Sequence, residues 1–489
     1  MSQYYTATDH FVLLPAILLA LFGCATLLFD FLIFPEAKQR RWLLVFLALG
    51  EAFAGVAFWR QQAFLLEHGG NLTAFRGALV IDHYALFFHW LFLAATLITG
   101  LISYRYLEVR DEHHGEYYGL LMLAQTGMYF LASGTELVTL FVGLETMAIT
   151  FYILVGFLRA DRRSNEAALK YLILGSLSSG FLAYGFSVLY GISGSTRLNE
   201  IAAAVAARDA WDPVLVLAIG TAGAGLLFKI AAAPFHMWAP DAYEGAPTMI
   251  TGYLATASKA ASFALLLRLF VGPLGTARES WEPLLAAAAV LSLTIGNLAA
   301  VTQTNTKRLL AYSSVSHAGY ILLGLVAGSP TGIKGVLVYL LVYTFMTLGA
   351  FLVLTSLARQ GIAGDDINDL RGLMKRAPGH ALWMLVFMVS LAGIPPTAGF
   401  LGKFFIFWAL IETGHYTLAV IGAVYAVVAI YYYLRIVKAV FVEPEEAEAG
   451  PLTVSLGTRV ALAVTGALTL LVGVYPEPVL RLAQMSISR

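Results

Sequence analysis

Apolar runs of about 20 residues recur fourteen times along this chain, and that recurrence leaves few folds open. They lie at 10–34, 42–60, 82–104, 116–133, 135–158, 166–190, 213–235, 248–271, 282–302, 308–327, 332–358, 379–412, 416–440 and 457–476. An apolar helix of that length matches the hydrocarbon thickness of a bilayer. Inside lipid every backbone N–H and C=O must find its partner within the protein, which leaves helices as the spanning element here. The sequence therefore predicts an all-α polytopic membrane protein. Composition agrees, with 59% hydrophobic and 12% charged residues, about half the charge of a soluble domain. Thirty basic residues balance thirty acidic ones, so no net field points to nucleic acid. The single cysteine, Cys24, excludes a Cys-ligated cluster or a disulfide framework within this chain. Residues Met1 to Asp9 carry no basic segment, so the first run reads as a retained span rather than a cleaved signal.

Orientation follows from basic residues in the connections. One set of alternate connections holds seventeen Lys and Arg, from Lys38 to Arg459, and the opposite face, termini included, holds nine. The richer side is predicted to be cytoplasmic, which puts both termini outside. Residues 191–212 include Leu198, Ile201 and Val205 among polar neighbours, the pattern of a short amphipathic surface helix. The segment 443–451 reads as a solvated connector. Runs 7 and 12 contain breaks, at Pro234-Phe-His236-Met-Trp238-Ala-Pro240 and at Gly393-Ile-Pro395-Pro396-Thr-Ala-Gly399. Proline removes a donor and clashes with the preceding turn. Paired broken helices, each with a lysine near the break, mark ion sites in inverted-repeat transporters. The expected organisation is one membrane domain over 1–489: helices 1–3 (10–104), a first five-helix repeat of helices 4–8 (116–271), an inverted second repeat of helices 9–13 (282–440), and helix 14 with a tail (457–489).

Four of the nine lysines, Lys170, Lys229, Lys259 and Lys403, fall inside or at the edge of these runs. A charge at mid-bilayer costs roughly 2.5–3.5 kcal/mol on insertion scales, so the four point to an ion or proton path. Glu145, ten residues into run 5, would have to stay neutral alone, whereas a nearby lysine would let both ionise. Lys229 is the expected partner; separating the pair would release the lysine's proton, and a static salt bridge is the bland alternative. Lys259 and Lys403 have no acid within a helical turn and need a cross-helix partner, water or neutrality. Lys170 lies nearer a helix end and can snorkel. His317, in run 10, is a candidate relay between lysines or a hydrogen-bonded core histidine. Glu51, in run 2, has no evident partner, and Tyr431-Tyr-Tyr433 reads as belt or packing.

No Gly-x-x-x-x-Gly-Lys-Ser/Thr loop is present, so no ATP-driven step belongs to this chain. No strand–helix unit stands ready for a flavin or nicotinamide, and the scattered histidines do not suit haem. At this point the motifs resemble a family. The stretches Phe228-Lys229-Ile-Ala-Ala-Ala-Pro234-Phe-His236-Met-Trp238-Ala-Pro240-Asp241, Lys307-Arg308-Leu-Leu-Ala-Tyr312-Ser-Ser-Val-Ser-His317-Ala-Gly-Tyr320 and Leu391-Ala-Gly-Ile-Pro-Pro-Thr-Ala-Gly-Phe-Leu-Gly-Lys403-Phe resemble segments of the antiporter-like subunits of respiratory complex I, a family that also includes Mrp-type antiporter and membrane hydrogenase subunits. The likeness covers helices 4–13. It is nearest to the N type, because the chain stops after fourteen runs and carries lysine, not glutamate, at 403. Ala231 and Met249 depart from residues common in the family.

The resemblance implies that Glu145, Lys229, Lys259 and Lys403 form the charged chain, with Lys170 as a further lysine and His317 as a link. It implies a proton-translocating subunit of NADH–quinone oxidoreductase in a bacterial inner membrane, beside neighbouring antiporter-like subunits. No cofactor is expected in this chain; NADH, FMN, Fe–S clusters and quinone would belong to partner subunits. A cation/proton antiporter of the Mrp type and a non-pumping scaffold are the rival readings.

Overall fold

The computed structural model describes residues 5–33, 41–110, 112, 114–357, 365–444 and 456–487; most of the 443–451 connector lies outside them. A helix stands at each of the fourteen apolar runs. The first half holds α1 (Ala7–Leu32), α2 (Trp42–His68), α3 (His83–Arg110), α4 (Gly115–Ser133), α5 (Leu137–Val155), α6 (Arg162–Ser193), α7 (Leu198–Ala206), α8 (Pro213–Lys229), α9 (Trp238–Gly245), α10 (Thr248–Tyr253) and α11 (Lys259–Phe270). The second half holds α12 (Arg278–Thr302), α13 (Thr306–Ala327), α14 (Pro330–Leu357), α15 (Leu373–Arg376), α16 (Pro378–Ala392), α17 (Ala398–Glu412), α18 (Tyr416–Phe441), α19 (Leu456–Val474) and α20 (Glu477–Met485). Among the described residues, eleven helices are long and apolar enough to cross a membrane unaided. The other three runs are α4 and the two interrupted ones.

Both breaks fall where the prolines predicted. Run 7 stops at Lys229 and resumes as α9; run 12 stops at Ala392 and resumes at Ala398. The freed backbone groups find protein partners: Trp238 Nε1 donates to the Phe228 carbonyl at 2.9 Å, and Ala233 N donates to Ser292 Oγ at 2.8 Å. At the second break Gly399 N donates to Ser390 Oγ at 3.0 Å. Run 8 is also interrupted, by a π-helical turn over Leu254–Ser258, which no proline or glycine pattern announced. π-turns often accompany functional positions, and this one ends at Lys259. The amphipathic helix α7 forms as predicted and buries Leu198, Ile201 and Val205. A short hairpin, β1 (Leu72–Ala74) with β2 (Leu79–Ile81), is an addition to the all-α reading, and α2 runs to His68 rather than 60.

The two five-helix units pack alike. In each, the first two helices touch at glycine: a Cβ on Gly127 of α4 would meet Met147 N of α5 at 2.6 Å, and one on Gly296 of α12 would meet Ser316 N of α13 at 2.6 Å. Small residues let membrane helices approach this closely without a solvent-driven force between them. In each unit the third helix packs on the broken one, α6 on α8 and α14 on α17. The centre is formed by α10–α11, α13 and α14, whose apolar windows are 100%, 94% and 89% buried, against 28% for the peripheral α18. The polar residues on those central helices therefore face protein, not lipid.

Candidate proton-transfer chain

The first cluster joins α5, α6 and α8. Glu145 on α5 is half-buried. It does not touch Lys229 directly: Ser179 of α6 stands between them. Its hydroxyl donates to Glu145 Oε1 at 2.5 Å and accepts from Lys229 Nζ at 3.2 Å. The expected pair is thus a serine-bridged one, and Ser179 was not legible in the sequence. Lys229 Nζ also donates to the Tyr152 hydroxyl at 3.5 Å. As the last residue of α8, Lys229 sits at the negative end of a half-helix dipole, which favours a cation.

Lys259, 2% exposed, donates to the Ser314 carbonyl at 2.6 Å and to Ser314 Oγ at 2.5 Å. Ser314 Oγ lies 3.3 Å from the Tyr243 hydroxyl. The partner that Lys259 lacked in sequence is therefore a neutral one across the helix interface. No hydrogen bond links Lys229 to Lys259 among the described residues. Between their surroundings runs a row of rings, with centroids 4.7 Å apart for Tyr152–Tyr171, 4.5 Å for Tyr171–Trp238 and 6.2 Å for Trp238–Tyr243.

His317 on α13 connects onward. Its Nδ1 is 2.7 Å from the Tyr339 hydroxyl and its Nε2 2.9 Å from the Tyr433 hydroxyl; Tyr433 also bonds Ser313. The Tyr343 ring lies 5.0 Å from the His317 ring and 5.7 Å from Lys259 Nζ. The tyrosine run, read as belt or packing, divides between the two. Tyr431 is 60% exposed, but Tyr433 is 1% exposed and holds His317.

Lys403, 4% exposed, lies on α17 but donates back across the break, to the Leu391 carbonyl at 3.2 Å and the Ala392 carbonyl at 2.8 Å. Its ammonium is 5.0 Å from the Tyr320 ring. It thus satisfies the last carbonyls of α16 and occupies the negative end of that half-helix. Both break-associated lysines therefore stand at the C-terminal end of a first half-helix.

Lys170 belongs to a different environment. Its side chain is 47% exposed and pairs with Glu166 at 2.9 Å and Asp241 at 3.0 Å. Arg308 bonds the same Asp241 at 2.9 Å and Glu244 at 2.8 Å. The structure places Lys170 in a surface charge network and apart from the buried line. Among the described residues no three His, Cys, Asp or Glu side chains gather as a metal set.

Residues 134–429 match the family described as NADH:quinone oxidoreductase/Mrp antiporter, TM. The chain is 61% identical over 489 residues to the NADH-quinone oxidoreductase subunit N 2 of Solibacter usitatus, covering all of this chain and 99% of that one. It is similar to a chain in respiratory complex I from Thermus thermophilus with bound aureothin, with a TM-score of 0.78, 35% identity and coverage of 96% and 98%. It is also similar to a chain of a membrane-bound sulfane sulfur reductase, an archaeal respiratory membrane complex, with a TM-score of 0.84, 25% identity and coverage of 96% for both chains.

Proposed function

This chain belongs to the antiporter-like membrane family of NADH:quinone oxidoreductase and Mrp complexes, and on that premise we propose that it is the proton-translocating N-type subunit of a bacterial NADH–quinone oxidoreductase. The observation that carries the reading is a line of ionisable groups inside the helix bundle across both repeats: Glu145, bridged by the Ser179 hydroxyl to Lys229, then Lys259, then His317 and Lys403. Ionisable groups inside a membrane domain mark ion or proton routes by default.

The mechanism is electrostatic. A change at the face of α5 that moves the Glu145 carboxylate away from Ser179 withdraws the negative charge that stabilises the Lys229 ammonium. Lys229 then gives up its proton toward Lys259, by way of water among the rings of Tyr152, Tyr171, Trp238 and Tyr243. Charge on Lys259 in turn biases His317 and Lys403 through Ser314 and the surrounding tyrosines. The redox chemistry sits in partner subunits that carry FMN, Fe–S clusters and the quinone site. The chain lies in the inner membrane next to other antiporter-like subunits, with both termini on the periplasmic side.

Replacing Lys229 or Lys259 with alanine in the assembled complex is expected to abolish its share of proton transfer. Unchanged protons per electron in both variants would sink the proposal. Purification of the native complex separates the rivals: flavin- and Fe–S-bearing partners support this reading, and their absence from an intact complex that exchanges Na⁺ for H⁺ supports the antiporter.

A further inference from the structure

Glu51 lies outside the line described above, on α2 among the first three spans. It is 1% exposed, and no basic side chain pairs with it among the described residues. Its carboxyl has a partner on α4: Gln125 Nε2 donates to Glu51 Oε2 at 3.0 Å. Two buried oxygens remain without a partner, Glu51 Oε1 and Gln125 Oε1. Both are acceptors when the carboxyl is ionised, so neither can satisfy the other. An ionised carboxylate with one neutral donor in an apolar interior is a costly arrangement. One added proton resolves it. With a proton on Glu51 Oε1, the acid and the amide can form a two-bond pair, N–H to Oε2 and O–H to Gln125 Oε1.

The surroundings supply a way out of this pocket. Of the titratable side chains on the packed helices, Tyr253 of α10 comes nearest by contact: its hydroxyl lies 3.5 Å from the Leu121 carbonyl of α4, one helical turn before Gln125. Asp9, Asp30, His89, Tyr117 and Tyr129 are bonded elsewhere, to Phe75, Gly115, Ser133, Ser103 and Val12. The Tyr253 hydroxyl lies 2.8 Å from Thr96 Oγ1 on α3. Thr96 gives its own proton to the Phe92 carbonyl at 2.9 Å, so the Tyr253 hydroxyl is the donor here, with Thr96 Oγ1 and the Leu121 carbonyl as its two acceptors. Tyr253 ends α10 and leads through the π-turn to Lys259.

We propose that Glu51 and Gln125 form a second proton-binding site between α2 and α4, which exchanges its proton toward the Lys259 helix by way of Tyr253. The site deepens the reading above only in that exchange; the bound proton itself stands whether or not the chain pumps.

The test is infrared absorption of the intact complex in H₂O and D₂O. Glu51→Gln is expected to remove one carboxylic-acid C=O band and no carboxylate band. Gln125→Leu is expected to keep that band but move it to higher frequency, because the acid loses its amide partner; this variant guards against a fold effect in the first. Tyr253→Phe is expected to slow the band's exchange into D₂O at least tenfold. Loss of a carboxylate band in Glu51→Gln, or a shift of that band on adding Na⁺ alone, overturns the proton site in favour of an ionised group or a cation site. An unchanged exchange rate in Tyr253→Phe overturns the route. None of these readouts depends on proton pumping, so failure here and failure of the translocation reading are separable.

Discussion

Ser179→Ala isolates the electrostatic step at the first break. The hydroxyl bonds of 2.5 and 3.2 Å, placed end to end, hold the Glu145 and Lys229 charges within about 5.7 Å. At an effective dielectric near 20 that separation is worth about 3 kcal/mol. Alanine removes both bonds. Lys229 keeps the Tyr152 hydroxyl at 3.5 Å, while Glu145, half-buried on α5, is freed to turn outward. If the separation doubles to about 11 Å, the coupling halves, a loss of about 1.5 kcal/mol, or roughly tenfold in any step it drives. NADH-driven acidification of proteoliposomes holding the assembled complex should fall about tenfold in Ser179→Ala. Electron transfer to a soluble acceptor that bypasses quinone should stay unchanged, and Ser179→Thr, which keeps a hydroxyl, should stay near the parent. Wild-type acidification in Ser179→Ala would refute the bridging role and, with it, the serine as part of the switch.

Lys403→Met leaves the Leu391 and Ala392 carbonyls without their donor. It should lower thermal stability of the complex by about 1–3 kcal/mol as well as stop pumping; a loss of pumping at unchanged stability would separate the two roles. Tyr433→Phe removes the hydroxyl at His317 Nε2 and should slow acidification several-fold, whereas Tyr431→Phe, on an exposed ring, should have no effect. Lys170→Ala breaks two solvent-screened ion pairs and should change stability by less than about 1 kcal/mol with pumping near wild type; abolished pumping would return Lys170 to the chain. Glu443, in the connector after α18, is held below the usual glutamate range first by Lys438 and then by Arg371. Its stabilisation is therefore present above the unfolded carboxyl value and lost as pH falls through the lowered folded one. The melting difference between the parent and Glu443→Gln should vanish in acid and shrink at high salt.

The sequence by itself determined the membrane architecture, because chain length and hydrophobicity set a span independently of its neighbours. It also placed both breaks, since proline acts on its own turn, and it singled out Glu145, Lys229, Lys259, Lys403 and His317, because a charge inside an apolar run stands out. Partners were a different matter. Ser179, Ser314 and Tyr433 look like ordinary helix residues; a hydroxyl in an apolar run carries no signal of what it touches. Their significance comes from helices brought together across 50, 55 and 116 positions. The same holds for Glu51, whose partner Gln125 lies 74 residues away. Lys170 shows the opposite case: its place near a helix end in the sequence allowed either a buried or a snorkelling side chain, and packing put it at the surface beside Asp241. Which ionisable groups exist, and at what depth, is a one-dimensional property of the chain. Which of them share a proton or a charge depends on side chains meeting within hydrogen-bond distance, and only the tertiary fold decides that.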